Sequence, residues 1–257
     1  MGHEESGLFM GETPEFSIVI PTLQEHGYIG RSLRHFATER ARSRFRTEVV
    51  VVDGGSTDGT VEEARGAAEL VLTLDEAPEA GINIAHARNA GAARASGTFI
   101  FHTDADVVVP DLDALLARAA EEFRDPSVVA VSASVMPYPW EARLRDRVIH
   151  RVVNAYLRAS VRAGLMFSRG ECQIVRRETF EAVGGYDTHF VSGEDCDLFR
   201  RMGKVGRVVF LPGVCVYHSP RRFRQLGYFR VLAIYTREAL WMSLLHRSYI
   251  REWKVVR

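Results

Sequence analysis

Long apolar runs are missing from this chain. Stretches such as Phe99–Phe101 and Val107–Val109 fall far short of the roughly 20 residues that a membrane-spanning helix needs. Cysteine is scarce: Cys172, Cys196 and Cys215 are the three in 257 residues. An odd count without close metal-type spacing argues against a disulfide scaffold and a cysteine zinc site, and fits a reducing cytosol. The start lacks a basic segment followed by an apolar one, so the polar, acidic residues 1–15 are expected to form a loose leader and not a secretory signal. Repeats, linkers and low-complexity tracts are absent as well. With 46% hydrophobic residues, the chain can bury the core of one sizeable domain.

Net charge is also lacking, but the zero hides an asymmetry. Residues 1–130 carry 11 basic and 22 acidic side chains, and residues 131–257 carry 22 basic and 11 acidic. Two readings stand. The halves neutralise each other across an interface, or the acidic half holds a cation while the basic half meets a phosphate-bearing acceptor or an anionic membrane face.

Short apolar runs alternate with stretches of helical period. Phe16–Pro21, Glu48–Asp53, Glu69–Leu74 and Thr98–Thr103 read as strands; Tyr28–Phe45, Asp58–Ala68 and the Ala-rich Gly81–Ala95 read as helices between them. Strand–helix–strand units predict an α/β fold, a doubly wound and mostly parallel sheet with helices on both faces. Asp111–Phe123 follows as a helix with an acidic first turn, and Ser127–Val135 as another strand. Beyond it, Trp140–Ala163 is a long basic amphipathic helix and the alternation ends.

Ligands of open parallel sheets bind outside the carboxyl ends of the strands, which directs attention to four places. In Pro21-Thr22-Leu-Gln24-Glu25 a carboxylate follows the first strand, either as a helix cap or as a ligand group. In Asp53-Gly-Gly-Ser-Thr-Asp58-Gly paired glycines permit a tight path, Asp53 is placed to accept from a ribose hydroxyl or base N–H, and Ser56, Thr57 or Asp58 can cap the next helix. Asp104 and Asp106 follow the fourth strand. In extended chain residues i and i+2 point to one side, so both carboxylates can face one Mg²⁺ or Mn²⁺ with a diphosphate completing the shell. So short a pattern is weak alone, and gains weight from its position after a buried strand. In Gly193-Glu194-Asp195-Cys-Asp197, acids open a helix; Asp197 suits the helix dipole, and Asp195 suits a base taking the proton of an attacking hydroxyl, kept ionised by the helix start.

Taken in this order the four places resemble the inverting family 2 glycosyltransferases of the GT-A fold, over about Phe16–Tyr217. Phe16-Ser-Ile-Val-Ile-Pro-Thr looks like the family's opening strand, Val-Val-Asp53-Gly-Gly-Ser-Thr-Asp-Gly-Thr like its nucleoside loop, and Ala-Arg88-Asn-Ala-Gly like its middle helix. Asp104-Ala-Asp106 corresponds to the metal motif, and Gly-Gly-Tyr-Asp followed by Gly-Glu194-Asp195 to the catalytic region. The resemblance implies a GT-A catalytic domain over 16–220, divided into a nucleotide-sugar half (16–110) and an acceptor half (111–220), with a basic, aromatic helical segment over 221–257. It implies Pro21, Thr22, Glu25, Asp53, Arg88 and Asp104 on a UDP- or GDP-linked sugar, and Asp106, Asp104 and His218 on Mn²⁺ or Mg²⁺. Asp195, beside Glu194, would be the base of a single inverting displacement. Gln24 departs from the Asn common at that position, and His218 reads equally as a surface or core histidine.

On the acceptor side Arg143, Arg145, Arg147, Arg151, Arg158 and Arg162 crowd one helix. Residues 221–257 hold nine basic side chains against Glu238 and Glu252, interleaved with aromatics including Phe223, Tyr228, Phe229, Tyr235, Trp241, Tyr249 and Trp253. These features suit either a helix at an anionic membrane interface, serving a glycan or lipid-linked acceptor on the cytoplasmic face, or an ordinary amphipathic helix packed on the domain. No nucleic acid is expected as a partner. Two other classes stay open: a nucleotidyltransferase, disfavoured because no Gly-rich basic loop follows the first strand, and a non-catalytic carbohydrate- or membrane-binding relative.

Overall fold

The computed structural model describes residues 14–74 and 83–245; the leader up to position 13, the segment 75–82, and Tyr249 and Trp253 of the C-terminal segment lie outside the described residues. The apolar runs of the first half become strands β1 (Phe16–Thr22), β2 (Thr47–Asp53), β3 (Leu70–Thr73) and β4 (Phe99–His102), separated by helices α1 (Tyr28–Arg42), α2 (Thr60–Arg65) and α3 (Ile84–Arg94). All seven residues of β1 are buried, as a parallel strand covered on both faces requires. Its side chains alternate between two cores: Ile18 and Ile20 point into one, Val19 into the other. The small residues of α3 let it lie close on the sheet. A Cβ on Gly91 would come 2.4 Å from Val19 Cγ1, so alanine there would push helix and strand apart.

The chain continues through β5 (Val107–Val108), α4 (Leu112–Phe123), β6 (Val128–Pro137), α5 (Leu144–Arg162), β7 (Gln173–Arg176), α6 (Arg177–Ala182), α7 (Glu194–Met202), β8 (Arg207–His218), α8 (Arg221–Leu226) and α9 (Tyr228–Leu245). The strand order is β3-β2-β1-β4-β7-β6-β8-β5. Pairings β1–β2, β1–β4, β2–β3 and β6–β8 are parallel, whereas β4–β7, β6–β7 and β5–β8 are antiparallel. The first half is therefore the expected parallel layer, and the second half is mixed because the four-residue β7 inserts against the direction of both neighbours. Among the described residues no helix is long and apolar enough to cross a membrane.

Two helical expectations change in detail. The C-terminal segment is two helices, broken at Gly227 with φ 86°. The face of α5 turned to the domain is polar: Asp146, His150, Asn154 and Ser160 are buried beside Leu157, and Asn154 bonds the backbone of Val135 through both its Oδ1 (3.0 Å) and Nδ2 (2.9 Å). Leu144, Val148, Val152 and Tyr156 are exposed on the opposite side.

Candidate functional site

The carboxyl ends of β1, β2 and β4 meet at one edge of the sheet, with Thr22 opposite Asp53 and His102 opposite Val19. A cavity of about 610 Å³ opens there, walled by Pro21 and Thr22 at the end of β1 and Glu25 after it, Asp104 and Asp106 after β4, Arg169 and Glu171 before β7, Glu194 and Asp195 of α7, His218, Arg221 of α8 and Tyr235 of α9. The structure thus brings together every sequence-predicted site residue except Asp53. That residue is fully buried beneath the loop it starts: its oxygens accept from the Gly55 and Ser56 N–H groups at 2.9 and 2.7 Å and from Ser56 Oγ at 2.5 Å. In this arrangement Asp53 organises the loop. None of Ser56, Thr57 and Asp58 occupies the cap position of α2, which falls to Gly59 in the left-handed region; Asp58 accepts from Thr60 N at 3.1 Å.

The extended geometry expected for Asp104-Ala-Asp106 is replaced by a turn, in which Asp104 O accepts from Val107 N at 3.1 Å. Ser32 Oγ donates to Ala105 O at 2.8 Å and Tyr138 Oη donates to Asp106 O, so the turn is anchored from two sides. Its carboxylates are held apart by different cations. Arg88, 1% exposed, spans Asp104 at 2.7 Å and Glu194 at 2.8 Å. It joins the Asp104 turn to the start of α7 instead of reaching into open space. Gly170 permits this, since a Cβ there would lie 2.2 Å from Arg88 Nη2. Arg221 accommodates Glu25 at 2.6 Å and Asp106 at 3.5 Å. The Glu25 side chain is thus an ion-pair partner and not a helix cap; its backbone carbonyl closes the turn into α1. Gln24, at φ 57°, ties its loop to the next through Ser56 Oγ (2.7 Å) and Thr57 Oγ1 (3.1 Å).

Carboxylates outnumber cations here, and the titration reflects it. One guanidinium, that of Arg88, faces Asp104, Glu194 and Asp195. Burial, with Asp195 alongside, pushes Glu194 up to about 8 despite its bond to Arg88. Burial likewise raises Asp195 and Asp104. The expectation that the helix start keeps Asp195 readily ionised is therefore corrected: desolvation outweighs the helix terminus and makes it a stronger base once deprotonated. Asp195 accepts from the Cys196 N–H at 2.8 Å. Asp197 serves the helix, pairing Arg200 at 3.0 Å and Arg201 at 2.7 Å.

His218, at the end of β8, packs against a second histidine. His150 Nδ1 faces the Asp146 carbonyl at 2.7 Å, which can only accept, so that nitrogen carries the proton. His150 Nε2 is then the acceptor for His218 Nε2, 2.7 Å away. Burial holds His150 down to about 4 and His218 well below its ordinary range, so both rings are neutral. His218 Nε2 also lies 3.4 Å from Arg169 Nη2 and Nδ1 lies 3.4 Å from Glu171 Oε1, so the ring stands at the cavity wall between a donor and an acceptor.

Among the described residues no three carboxylate, imidazole or thiol side chains converge to hold a cation by themselves. The donor chemistry nevertheless fits Mg²⁺ or Mn²⁺ with a diphosphate supplying the remaining oxygens. Burial, with Asp104, Glu25 and Glu171 nearby, raises Asp106 to about 7 against the pull of Arg221, a surplus of negative charge that a divalent cation relieves. Thr22 Oγ1 is buried at the cavity wall without a partner, a polar atom awaiting a ligand.

Arg169, Glu171, Arg221, His150 and Tyr235 escaped the sequence reading as site residues. Arg221 was legible only as one cation of a basic tail, and Arg169-Gly170-Glu171 fell in a stretch without clear periodicity.

A mixed sheet with acids at its strand ends around one cavity is the arrangement of the GT-A glycosyltransferase fold. Residues 17–184 match the model of the glycosyl transferase family 2, and the chain belongs to that family. It is 30% identical over 200 residues to the succinoglycan biosynthesis protein ExoA of Rhizobium meliloti, covering 76% of this chain and 59% of that protein. It is 25% identical over 238 residues to the β-monoglucosyldiacylglycerol synthase of Synechocystis, covering 85% of this chain and 49% of that one. The chain thus spans about half the length of these relatives. Among solved structures, the mannosyltransferase PcManGT of Pyrobaculum calidifontis, in complex with GDP-Man and Mn²⁺, aligns with TM-score 0.63 and 25% identity over 88% of this chain and 65% of that one.

Proposed function

We propose that the chain moves a sugar from a UDP- or GDP-linked donor to an acceptor hydroxyl in a single displacement with inversion. The observation that carries the reading is one cavity with Asp104 and Asp106 at its sheet end, Asp195 on α7, and Arg88 bridging Asp104 to Glu194. Pro21, Thr22 and Glu25 would line the nucleoside end, with Asp53 holding the loop beside it. Asp106 and Asp104, with His218, would hold Mn²⁺ or Mg²⁺, which when bound neutralises charge on the departing diphosphate. Arg88 fixes the metal-side turn relative to α7, so donor and base keep one spacing. Asp195, desolvated and basic, takes the acceptor proton as the hydroxyl oxygen attacks the anomeric carbon and the bond to the diphosphate oxygen breaks. Glu194, neutral or paired to Arg88 according to pH, adjusts the charge beside that base.

Similarity to a protein named as a β-monoglucosyldiacylglycerol synthase supports a lipid-linked acceptor, and similarity to a succinoglycan biosynthesis protein supports a glycan one. The test is incubation of the purified chain with a panel of sugar nucleotides and Mn²⁺. Release of nucleoside diphosphate is expected; release of pyrophosphate would signal nucleotidyl transfer instead. Absence of both, with no thermal shift from any donor, would sink the reading.

A further inference from the structure

An amphipathic surface helix ordinarily buries its apolar face. Helix α5 leaves a second apolar face outside. Toward the domain it presents the buried Asp146, His150, Asn154 and Ser160 with Leu157, and the partly buried Val153 and Val161 pack against the cores. Away from it stand Leu144, Val148, Val152 and Tyr156, which are 79%, 47%, 57% and 51% exposed. Their spacing of four residues makes them one stripe over three turns, widened by the exposed Ala155 and Ala159. At 100° per residue, Arg147 and Arg151 flank one side of this stripe, with Arg158 behind them, its guanidinium over the Phe210 ring at 5.2 Å; Arg162 continues the stripe at the C-terminal end, and Arg145 lies one turn before Val148. The sole acidic side chain of the helix, Asp146, is buried and paired to Arg224 at 2.7 Å.

The occupant follows from this charge. A second copy of the chain laid on the stripe would bring arginines against arginines, whereas an anionic bilayer offers hydrocarbon to the stripe and phosphates to its flanks. Neighbouring elements agree. Trp140, 60% exposed, precedes the helix, and Phe229, 89% exposed, follows Tyr228, whose ring lies under Arg145 at 5.1 Å. A second cavity of about 390 Å³ runs along the arginine flank, lined by Arg151 and Arg158 with Met136 and Val214. Tyr156 belongs both to the stripe and to the wall of the large cavity, together with Val153 and Leu157.

We propose that α5 is a membrane-interfacial helix whose outward apolar face lies at the headgroup–acyl boundary of an anionic bilayer, with its arginines on lipid phosphates. The large cavity then opens beside Tyr156 at the headgroup level, where an acceptor hydroxyl carried on a lipid would enter. The opening of the cavity to a lipid acceptor rests on the proposed transfer reaction; the docking of α5 does not.

Flotation with phosphatidylcholine vesicles containing about one third phosphatidylglycerol, at roughly 0.15 M salt, tests the docking. The wild-type chain is expected to float with these vesicles and far less with pure phosphatidylcholine. V148S/V152S, both changes on exposed positions, is expected to lower partitioning by about tenfold or more, with circular dichroism confirming the fold. R151Q/R162Q is expected to weaken binding and flatten its salt dependence. A wild-type chain that stays soluble overturns the proposal, as does V148S/V152S floating as well as wild type. So does a wild-type dimer that V148S/V152S converts to monomer without flotation in either. Metal-dependent sugar-nucleotide hydrolysis is read in the same samples. Flotation with neither hydrolysis nor a thermal shift from any donor upholds the docking and overturns the transfer reading, and hydrolysis without flotation does the reverse.

Discussion

Two sets of arginines in the C-terminal half look alike in sequence and behave oppositely in the fold. Arg169, Arg221 and Arg224 turn inward, onto Glu171, onto Glu25 and Asp106, and onto Glu141 and Asp146. Arg147, Arg151 and Arg162 on α5 meet no carboxylate among the described residues. The difference teaches what the charge asymmetry of the chain is for. Arg221 crosses from the basic half to neutralise acids at the strand ends of the first half, Arg169 and Arg224 pair acids of their own half, and the arginines of α5 are left on the surface beside an apolar stripe. Neutralisation between the halves therefore accounts for Arg221, and the proposed anionic surface would account for the outward set.

The sharpest way to break this picture is at the acids that the inward set serves. Asp106→Ala and Asp195→Asn are each expected to lower transfer by about a thousandfold or more, measured as nucleoside diphosphate release. Asp195→Asn should leave the thermal shift from donor and Mn²⁺ in place, whereas Asp106→Ala should abolish the Mn²⁺-dependent part of it. Unchanged turnover in either variant would remove that residue from the site. Next in size is Arg221→Ala. Arg221 sits between Glu25 and Asp106, and all three side chains are less than one fifth exposed. Removing it strands two carboxylates, so a loss of about 3 kcal/mol is expected in urea unfolding. A loss below about 0.5 kcal/mol would place Arg221 with the surface set.

How much of this was legible beforehand differs between the halves for a physical reason. In the first half each strand is a continuous apolar run, and the candidate acids follow close behind, so pattern and cavity wall coincide; β1, β2 and β4 appear where the sequence puts them, with Asp104 and Asp106 directly after β4. The dispositions within their turn were not legible, because Val107 N closing on Asp104 O is a tertiary choice, supported by Ser32 and Tyr138 from elsewhere in the chain. In the second half, β7 is four residues long and α5 reads as amphipathic without saying which face turns inward. Nothing local in Arg221 distinguishes it from Arg222. Its role depends on contact with Glu25, 196 positions away in the chain.

A smaller effect sharpens the comparison through pH. Glu194 is raised to about 8 in the folded chain from an ordinary value of 4.5. A group raised in this way contributes stability in its protonated form below about 4.5, and that contribution is lost as pH rises through about 8. Glu194→Gln fixes the neutral form and escapes the loss. The variant should therefore become progressively more stable than wild type between about pH 5 and pH 8, as read by paired urea titrations. A difference that stays flat over that window would mean that Arg88 holds Glu194 ionised throughout, and that the crowd of carboxylates is less short of cations than the geometry indicates.

The smallest expected effect tests the outward set. Arg162 is exposed on the last turn of α5, where a cation complements the helix dipole by a few tenths of a kcal/mol. Arg162→Ala should shift unfolding by less than about 0.5 kcal/mol, because no buried carboxylate loses its partner. A loss approaching that of Arg221→Ala would mean that this arginine is held by the fold and is unavailable to lipid phosphates. A near-zero change in stability, combined with weaker vesicle binding by the same protein, is the result that separates a surface kept basic for a partner from one kept basic for folding.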